Sequence, residues 1–223
     1  MRATNLNPLP GKSGAIFDAL ESRFAKGHYK FGEILSPAAL ADEFGVSQQP
    51  LRVALSQLRA LGFVIITPQV GCRVVPPTPD DIRDFFRLFG KMEGVMASLA
   101  AERHTASELK RLEAVNLELR NCKIPVKGLP EEYSYLVGVW HTTLRSMAHS
   151  SSLCERLKSI WTMSDFLLWQ GAPSVPRENL QRANRQRTEI MEAVAARDPI
   201  HAETLMFDHV FSKPLRAGIL DGK

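Results

Sequence analysis

Cysteine is scarce in this 223-residue chain, and its three copies, Cys72, Cys122 and Cys154, stand far apart. An odd, scattered set forms neither a disulfide framework nor a zinc-ligand pattern, and it suits a reducing compartment. No apolar run approaches the ~20 residues of a membrane-spanning helix. The opening Met1-Arg2-Ala3-Thr4-Asn5-Leu6 lacks the apolar core of a secretory signal. A cytoplasmic protein without membrane contact is expected. Also missing are a glycine-rich phosphate loop, Cys-x-x-Cys, His-Glu-x-x-His and Gly-x-Ser-x-Gly, the common anchors of enzymatic chemistry. Asp80-Asp81 and Glu131-Glu132 fall where helices begin, and the helix dipole explains them better than catalysis does. No enzyme is expected. Charge of one sign is in small excess, +4 overall. Residues 1–76 hold eight basic and five acidic side chains, against 20 and 19 in the remainder. Any attraction to a polyanion therefore belongs to the first third of the chain.

That first third is organised around Ser47–Gly62. Leu51, Ala54, Leu55, Leu58 and Leu61 recur at helical spacing and form one apolar stripe. Gln48, Gln49, Arg52, Ser56 and Arg59 fall on the opposite side, a face of amides and cations with no acid. Ser47 suits an N-cap, Pro50 lies in the tolerant first turn and Gly62 supplies the stop. Arg and Gln can bond base edges bidentately, and a helix fits the major groove of DNA. Upstream, Ser36 and Pro37 open a short helix that Gly45 ends, one or two residues before Ser47. Two short helices around a tight glycine turn make a helix-turn-helix. A helix over 13–26, with Ile16, Phe17, Leu20 and Phe24 on one face, closes the core. Downstream, 63–67 and 72–75 are β-rich runs around Pro68-Gln69-Val70-Gly71, a hairpin signal. Three helices and a hairpin form a winged helix-turn-helix, with Gln69, Gly71 and Arg73 at the wing.

This order of features resembles the DNA-binding domain of the GntR family of bacterial repressors, over residues 13 to 76. The motifs that carry the likeness are Gly-Val-Ser at 45–47, Pro-x-Arg at 50–52, Ala-Leu at 54–55 and Leu-x-x-Leu-Gly at 58–62. The family usually reads Val-Ser-Arg-(Thr or Gly)-Pro-x-Arg-Glu-Ala-Leu. Here Gln48 replaces the first Arg, Gln49 follows, and Val53 replaces the Glu, while Arg52 is retained. Losing one Arg implies an altered operator or lower affinity with DNA binding preserved, and Gln48 suits adenine.

Residues 1–12 read as a loose arm, and prolines 76, 77 and 79 mark a semi-rigid linker over 77–80. From 81 to 223 the strand signal disappears. Six helices are expected: 80–103; one opened by the capping box Thr105–Glu108 and running to about 121; 130–149; one opened by a second box, Ser152–Glu155, and running to about 170; 177–197; and one capped by Asp198 and running to about 216. The fold class is mainly α, a winged helix-turn-helix followed by an all-α six-helix bundle.

The bundle resembles the ligand-sensing FCD domain of the FadR branch of that family, over residues 78 to 212. The likeness rests on Met92-Glu93-Gly94, Ala100-Ala101-Glu102-Arg103, Trp140-His141, Ala202 and Phe207-Asp208-His209-Val210. It implies a homodimer that binds a pseudo-palindromic double-stranded DNA operator and answers to a small effector. Many such domains hold a divalent metal with an Asp and three His. The matching positions here are Val137, His141, Arg187 and His209, so only the remnants His141 and His209 could ligate. No cofactor is expected. Instead Arg187, with His141 and His209, would receive a carboxylate effector in a pocket walled by Tyr133, Trp140, Trp161 and Trp169. The alternatives are that Arg187 lies on the outside of a basic helix, and that the chain is a ligand-binding or protein-interaction module whose winged domain no longer binds DNA.

Overall fold

The computed structural model describes residues 9, 11–67, 71–123, 131–171 and 175–220, without the side chains of 159 and 169–171. The chain divides into two compact units. One takes in Arg2–Thr78 together with Glu155–Gln170; the other takes in Pro79–Cys154 and Gly171–Lys223.

The first unit is a winged helix. Helices α1 (Gly11–Ala25), α2 (Pro37–Glu43) and α3 (Gln48–Ala60) precede a hairpin of β2 (Val64–Thr67) and β3 (Gly71–Val74). A two-residue strand, β1 (Ile34–Leu35), pairs antiparallel with β3 and makes the order β1-β3-β2. The hairpin register sets Val64 against Val74 and Thr67 against Gly71. Sequence patterning gives no sign of β1, because two residues cannot display an alternation. Helix α2 begins as expected: Ser36 caps it by accepting from the Ala39 amide, and Pro37 occupies its first turn. The core is built from Phe17, Leu20, Phe24, Leu51, Leu55, Leu58 and Phe63, each 0–2% exposed. Full burial of a side chain of this size contributes ~1.5–3 kcal/mol.

The second unit is all-helical. It contains α4 (Pro79–Arg103), α5 (Ala106–Asn121), α6 (Glu131–Met147), α8 (Arg177–Ala195), α9 (Pro199–Phe211) and the short α10 (Lys213–Arg216). The expected capping box at Thr105 is complete, with the Thr105 hydroxyl accepting from the Glu108 amide and Glu108 answering to the Thr105 amide. Asp198 caps α9 through the His201 amide. Helices α4 and α9 lie close because glycines face α9: a Cβ on Gly94 would stand 3.0 Å from the Glu203 carbonyl oxygen.

Helix α7 (Ser151–Gly171) is divided between the units after Cys154. It begins one residue before Ser152, which therefore lies inside the first turn rather than capping it. Its remainder folds with the winged helix. Phe166 is fully buried there, its ring 5.5 Å from Phe24, 5.4 Å from Phe31 and 5.3 Å from Phe63. An aromatic cluster of this kind explains why these residues leave a purely helical neighbourhood.

Candidate nucleic-acid interface and a buried cationic site

Helix α3 divides sharply into two sides. Leu51, Ala54, Leu55 and Leu58 are buried, whereas Ser47, Gln48, Gln49, Arg52, Ser56 and Arg59 are all exposed. Ser47 takes the extended N-cap backbone, but its hydroxyl makes no capping bond. Arg52 donates through Nη2 to Gln48 Oε1 at 3.2 Å, one helical turn back, so the two side chains are held side by side. Val53, where the resembling pattern has an acid, is 36% exposed on the same helix. A uniformly acid-free outer face on a short helix is a surface a phosphate backbone and base edges tolerate.

On the wing, Gly71 sits at φ +122°, a backbone that side-chain-bearing residues rarely adopt, with nothing within 4 Å of a would-be Cβ. Gln69 lies outside the described residues. Arg73 is exposed, and its Nε donates to the Gly32 carbonyl oxygen at 3.0 Å. Its register places it between Ile34 and Ile65 on the outer face of the sheet. Cys72 points the other way, is 1% exposed, and has its thiol pushed up to about 11 by burial.

The helical unit holds a polar cluster in its interior. Helix α6 contributes Tyr133, Trp140, His141 and Arg145, α4 contributes Glu93, α8 contributes Asn184, Gln186 and Arg187, α9 contributes His209, and α10 contributes Arg216. Arg187 is 4% exposed; its Nη1 donates to Asn184 Oδ1 at 2.8 Å and to the Tyr133 oxygen at 3.2 Å. The Tyr133 hydroxyl in turn donates to Asn184 Oδ1 at 2.8 Å. The imidazoles of His141 and His209 stack with centroids 5.7 Å apart. His209 Nδ1 donates to Gln186 Oε1 at 3.1 Å, and Arg216 Nη1 donates to the same oxygen at 2.9 Å. Glu93, fully buried, is paired through both oxygens with Arg145, and its Oε2 lies 3.8 Å from His141 Nδ1.

Charge does not balance here. Glu93 and Arg145 offset each other, but among the described residues neither Arg187 nor Arg216 has a carboxylate at ion-pair distance. Two nearly buried guanidiniums with only neutral partners cost several kcal/mol unless an anion joins them. Burial and the neighbouring Arg187 push the Arg216 guanidinium down to about 9. Burial, with cations around them, also holds His141 and His209 well below the usual imidazole range, so both are neutral at pH 7. Arg187 Nε and His209 Nε2 are buried with no hydrogen-bond partner among the described residues.

These residues do not fit a divalent metal. Two imidazoles fall short of the three or four donors such an ion needs. Arg187, Arg216 and Lys213 would also repel it, and among the described residues no group of three or more His, Cys, Asp or Glu comes together. An anion fits the same surroundings. Beside the cluster, an open cavity of about 860 Å³ lies along α5 and α8. Four cations, Arg120, Lys123, Arg177 and Arg185, and two acids, Glu189 and Glu192, line it, and so does Asn184, the residue that holds Arg187.

Of the residues singled out from sequence, Tyr133, Trp140, His141, Arg187 and His209 are all interior to the helical unit, at 0–4% exposure. Trp161 belongs to the α7 stretch in the other unit, and the Trp169 side chain lies outside the description. Sequence reasoning missed Glu93–Arg145, Asn184, Gln186 and Arg216. One signal was present: Glu93 falls in the stripe Phe86, Phe89, Met96, Ala100, where an acid has no place without a partner.

Comparison with known proteins bears on both units. Residues 12–74 match the family described as bacterial regulatory proteins, gntR family, and residues 84–212 match the FCD domain. The HTH-type transcriptional repressor GlaR of Escherichia coli is 26% identical, over 86% of this chain and 90% of that protein. The probable D-xylose utilization operon transcriptional repressor of Paenarthrobacter nicotinovorans is 24% identical, over 87% and 84%. Among solved structures, McbR/YncC of E. coli superposes with a TM-score of 0.72 at 17% identity, covering 91% of this chain and 94% of that one, a likeness of fold.

Proposed function

The chain belongs to the gntR family of bacterial regulatory proteins, in the form that carries an FCD domain, and from that premise we propose how this transcription regulator works. It binds a pseudo-palindromic operator as a homodimer in the cytoplasm and acts as a repressor. The observation that carries the reading is the acid-free outer face of α3. In a two-fold dimer two such helices enter successive major grooves. Gln48, Gln49 and Arg52 address base edges, Ser47 and Arg59 the backbone, and the wing with Gln69, Gly71 and Arg73 the neighbouring groove. Arg73 reaches the DNA with a stem already fixed by Gly32.

The effector is a small carboxylate held inside the helical unit. Arg187 offers a guanidinium whose Nε is unused, Arg216 supplies the second positive charge, and the neutral imidazoles of His141 and His209 lie beside them. Tyr133 and Trp140 wall it. The effector shifts operator occupancy by its unequal affinity for two arrangements of the paired DNA-binding domains.

Retention of genomic fragments by the purified chain tests the DNA reading. A small set of fragments sharing an inverted repeat is expected, with affinity falling steeply as salt rises. Retention without sequence preference, or indifference to salt, would favour a module that binds ligand or protein instead. A panel of mono-, di- and tricarboxylates, scored by thermal shift, tests the effector. A compound at 100 times its dissociation constant adds ~2.7 kcal/mol, and Arg187→Met abolishes the gain.

A further inference from the structure

The open cavity along α5 and α8 has the size of a small-molecule site, and its charge is sorted from end to end. Two hydrogen bonds fix how the helices pass each other. Asn116 Nδ2 donates to Thr188 Oγ1 at 3.0 Å, and Asn184 Nδ2 donates to the Leu119 carbonyl oxygen at 3.1 Å. Residue number rises along α5 as it falls along α8, so the two run antiparallel. The end of α5, with Arg120 and then Lys123 just beyond it, therefore lies beside the start of α8, which carries Arg177 and Arg185. Glu189 and Glu192 line the cavity one and two turns beyond Arg185. Among the described residues none of these six charges makes an ion pair, although Arg185 and Glu189 stand at a spacing that allows one. The floor is Asn184, 8% exposed, and no aromatic or aliphatic side chain among the described residues lines the cavity.

These features select a ligand by its chemistry. Unpaired guanidiniums gathered at one end fit a phosphate dianion, which accepts from two Arg forks at once. Carboxylates at the other end repel a second anionic group and accept from hydroxyls instead. With no apolar wall to cover an alkyl chain or a ring face, the body of the ligand is polar throughout. We propose that this cavity is a second ligand site of the helical unit, distinct from the buried cluster, and that it takes a phosphorylated polyol. The phosphate sits among Arg120, Lys123, Arg177 and Arg185, and the hydroxyls meet Glu189 and Glu192. The inference goes beyond the carboxylate reading and stands without it.

Isothermal titration calorimetry of the full chain tests the site with glycerol 3-phosphate, ribose 5-phosphate, glucose 6-phosphate, glucose and inorganic phosphate. At least one of the three esters binds at one site per chain, ~10-fold or more tighter than inorganic phosphate, the gain of one hydrogen bond to a charged group. Glucose gives no signal. Arg177→Gln with Arg185→Gln weakens the ester ~100-fold, ~10-fold for each guanidinium lost. Glu189→Ala with Glu192→Ala erases the advantage of the ester over inorganic phosphate. All four side chains are exposed, and an unchanged unfolding temperature verifies that the variants fold. Equal affinity for esters and inorganic phosphate in the native chain would reveal surface cations that meet any anion, and would overturn the site. Failure of all three esters to bind, or binding that neither pair of substitutions alters, overturns it as well.

Discussion

Glu93 is a fully buried carboxylate surrounded by the apolar residues of α4, and its ion pair with Arg145 ties α4 to α6. Removing one partner of such a pair strands the other charge away from water. Glu93→Ala therefore destabilises the protein by ~3–5 kcal/mol, whereas replacing both partners by apolar residues of similar volume recovers much of the loss; urea unfolding of the three chains measures the difference. Glu21 presents a different case. It is 5% exposed, and burial, aided by Asp18, pushes its carboxyl up to about 7. The folded chain holds that proton more tightly than the unfolded chain, so the stabilising effect is full below pH ~4.5 and is lost as pH rises to about 7. Glu21→Gln removes this dependence: it raises the unfolding temperature at pH 8 and leaves it nearly unchanged at pH 4.5. Arg187 shows why residues of this kind are hard to read from sequence. Its position is legible, since Leu180, Ala183, Arg187, Ile190 and Val194 follow the buried stripe of α8. Its charge obscures that position, because Arg177, Arg182 and Arg185 on the same helix make a solvated basic face the simpler reading.

At the scale of elements, periodicity and caps located most helices, and they did so where local chemistry decides. Ser36-Pro37, Thr105–Glu108 and Asp198-Pro199 each start a helix through a bond that the sequence itself specifies. The wing was legible in the same way, from β-rich runs around a glycine that holds a positive φ. Strand β1 was not, since its pairing with β3 is a tertiary fact. Helix α7 marks the other limit. Leu157, Trp161, Met163, Phe166 and Leu167 give it apolar residues on more than one side, and such a helix can bury itself against several partners. Only the assembled structure shows Phe166 among Phe24, Phe31 and Phe63. Phe166→Ala should cost ~3–5 kcal/mol. Hydrogen exchange locates the loss: faster exchange in α1 and in the hairpin is expected, and protection unchanged there would show that the cluster does not hold the winged unit together.

For the whole molecule, the family assignment rests on two matched regions that together span most of the chain, 12–74 and 84–212. The proposed functions divide along the same line, DNA on the winged unit and a small effector on the helical one. Operator sequence and effector identity belong to partners, which is why the sequence offers candidate residues for meeting them but names neither partner. The central claim is that the outer face of α3 reads DNA, and fluorescence anisotropy of a retained genomic fragment tests it most directly. Arg52→Ala should weaken binding to every fragment sequence, and Gln48→Ala should relax the preference at one base pair by ~1–3 kcal/mol. Native affinity and native preference in both variants would contradict the account.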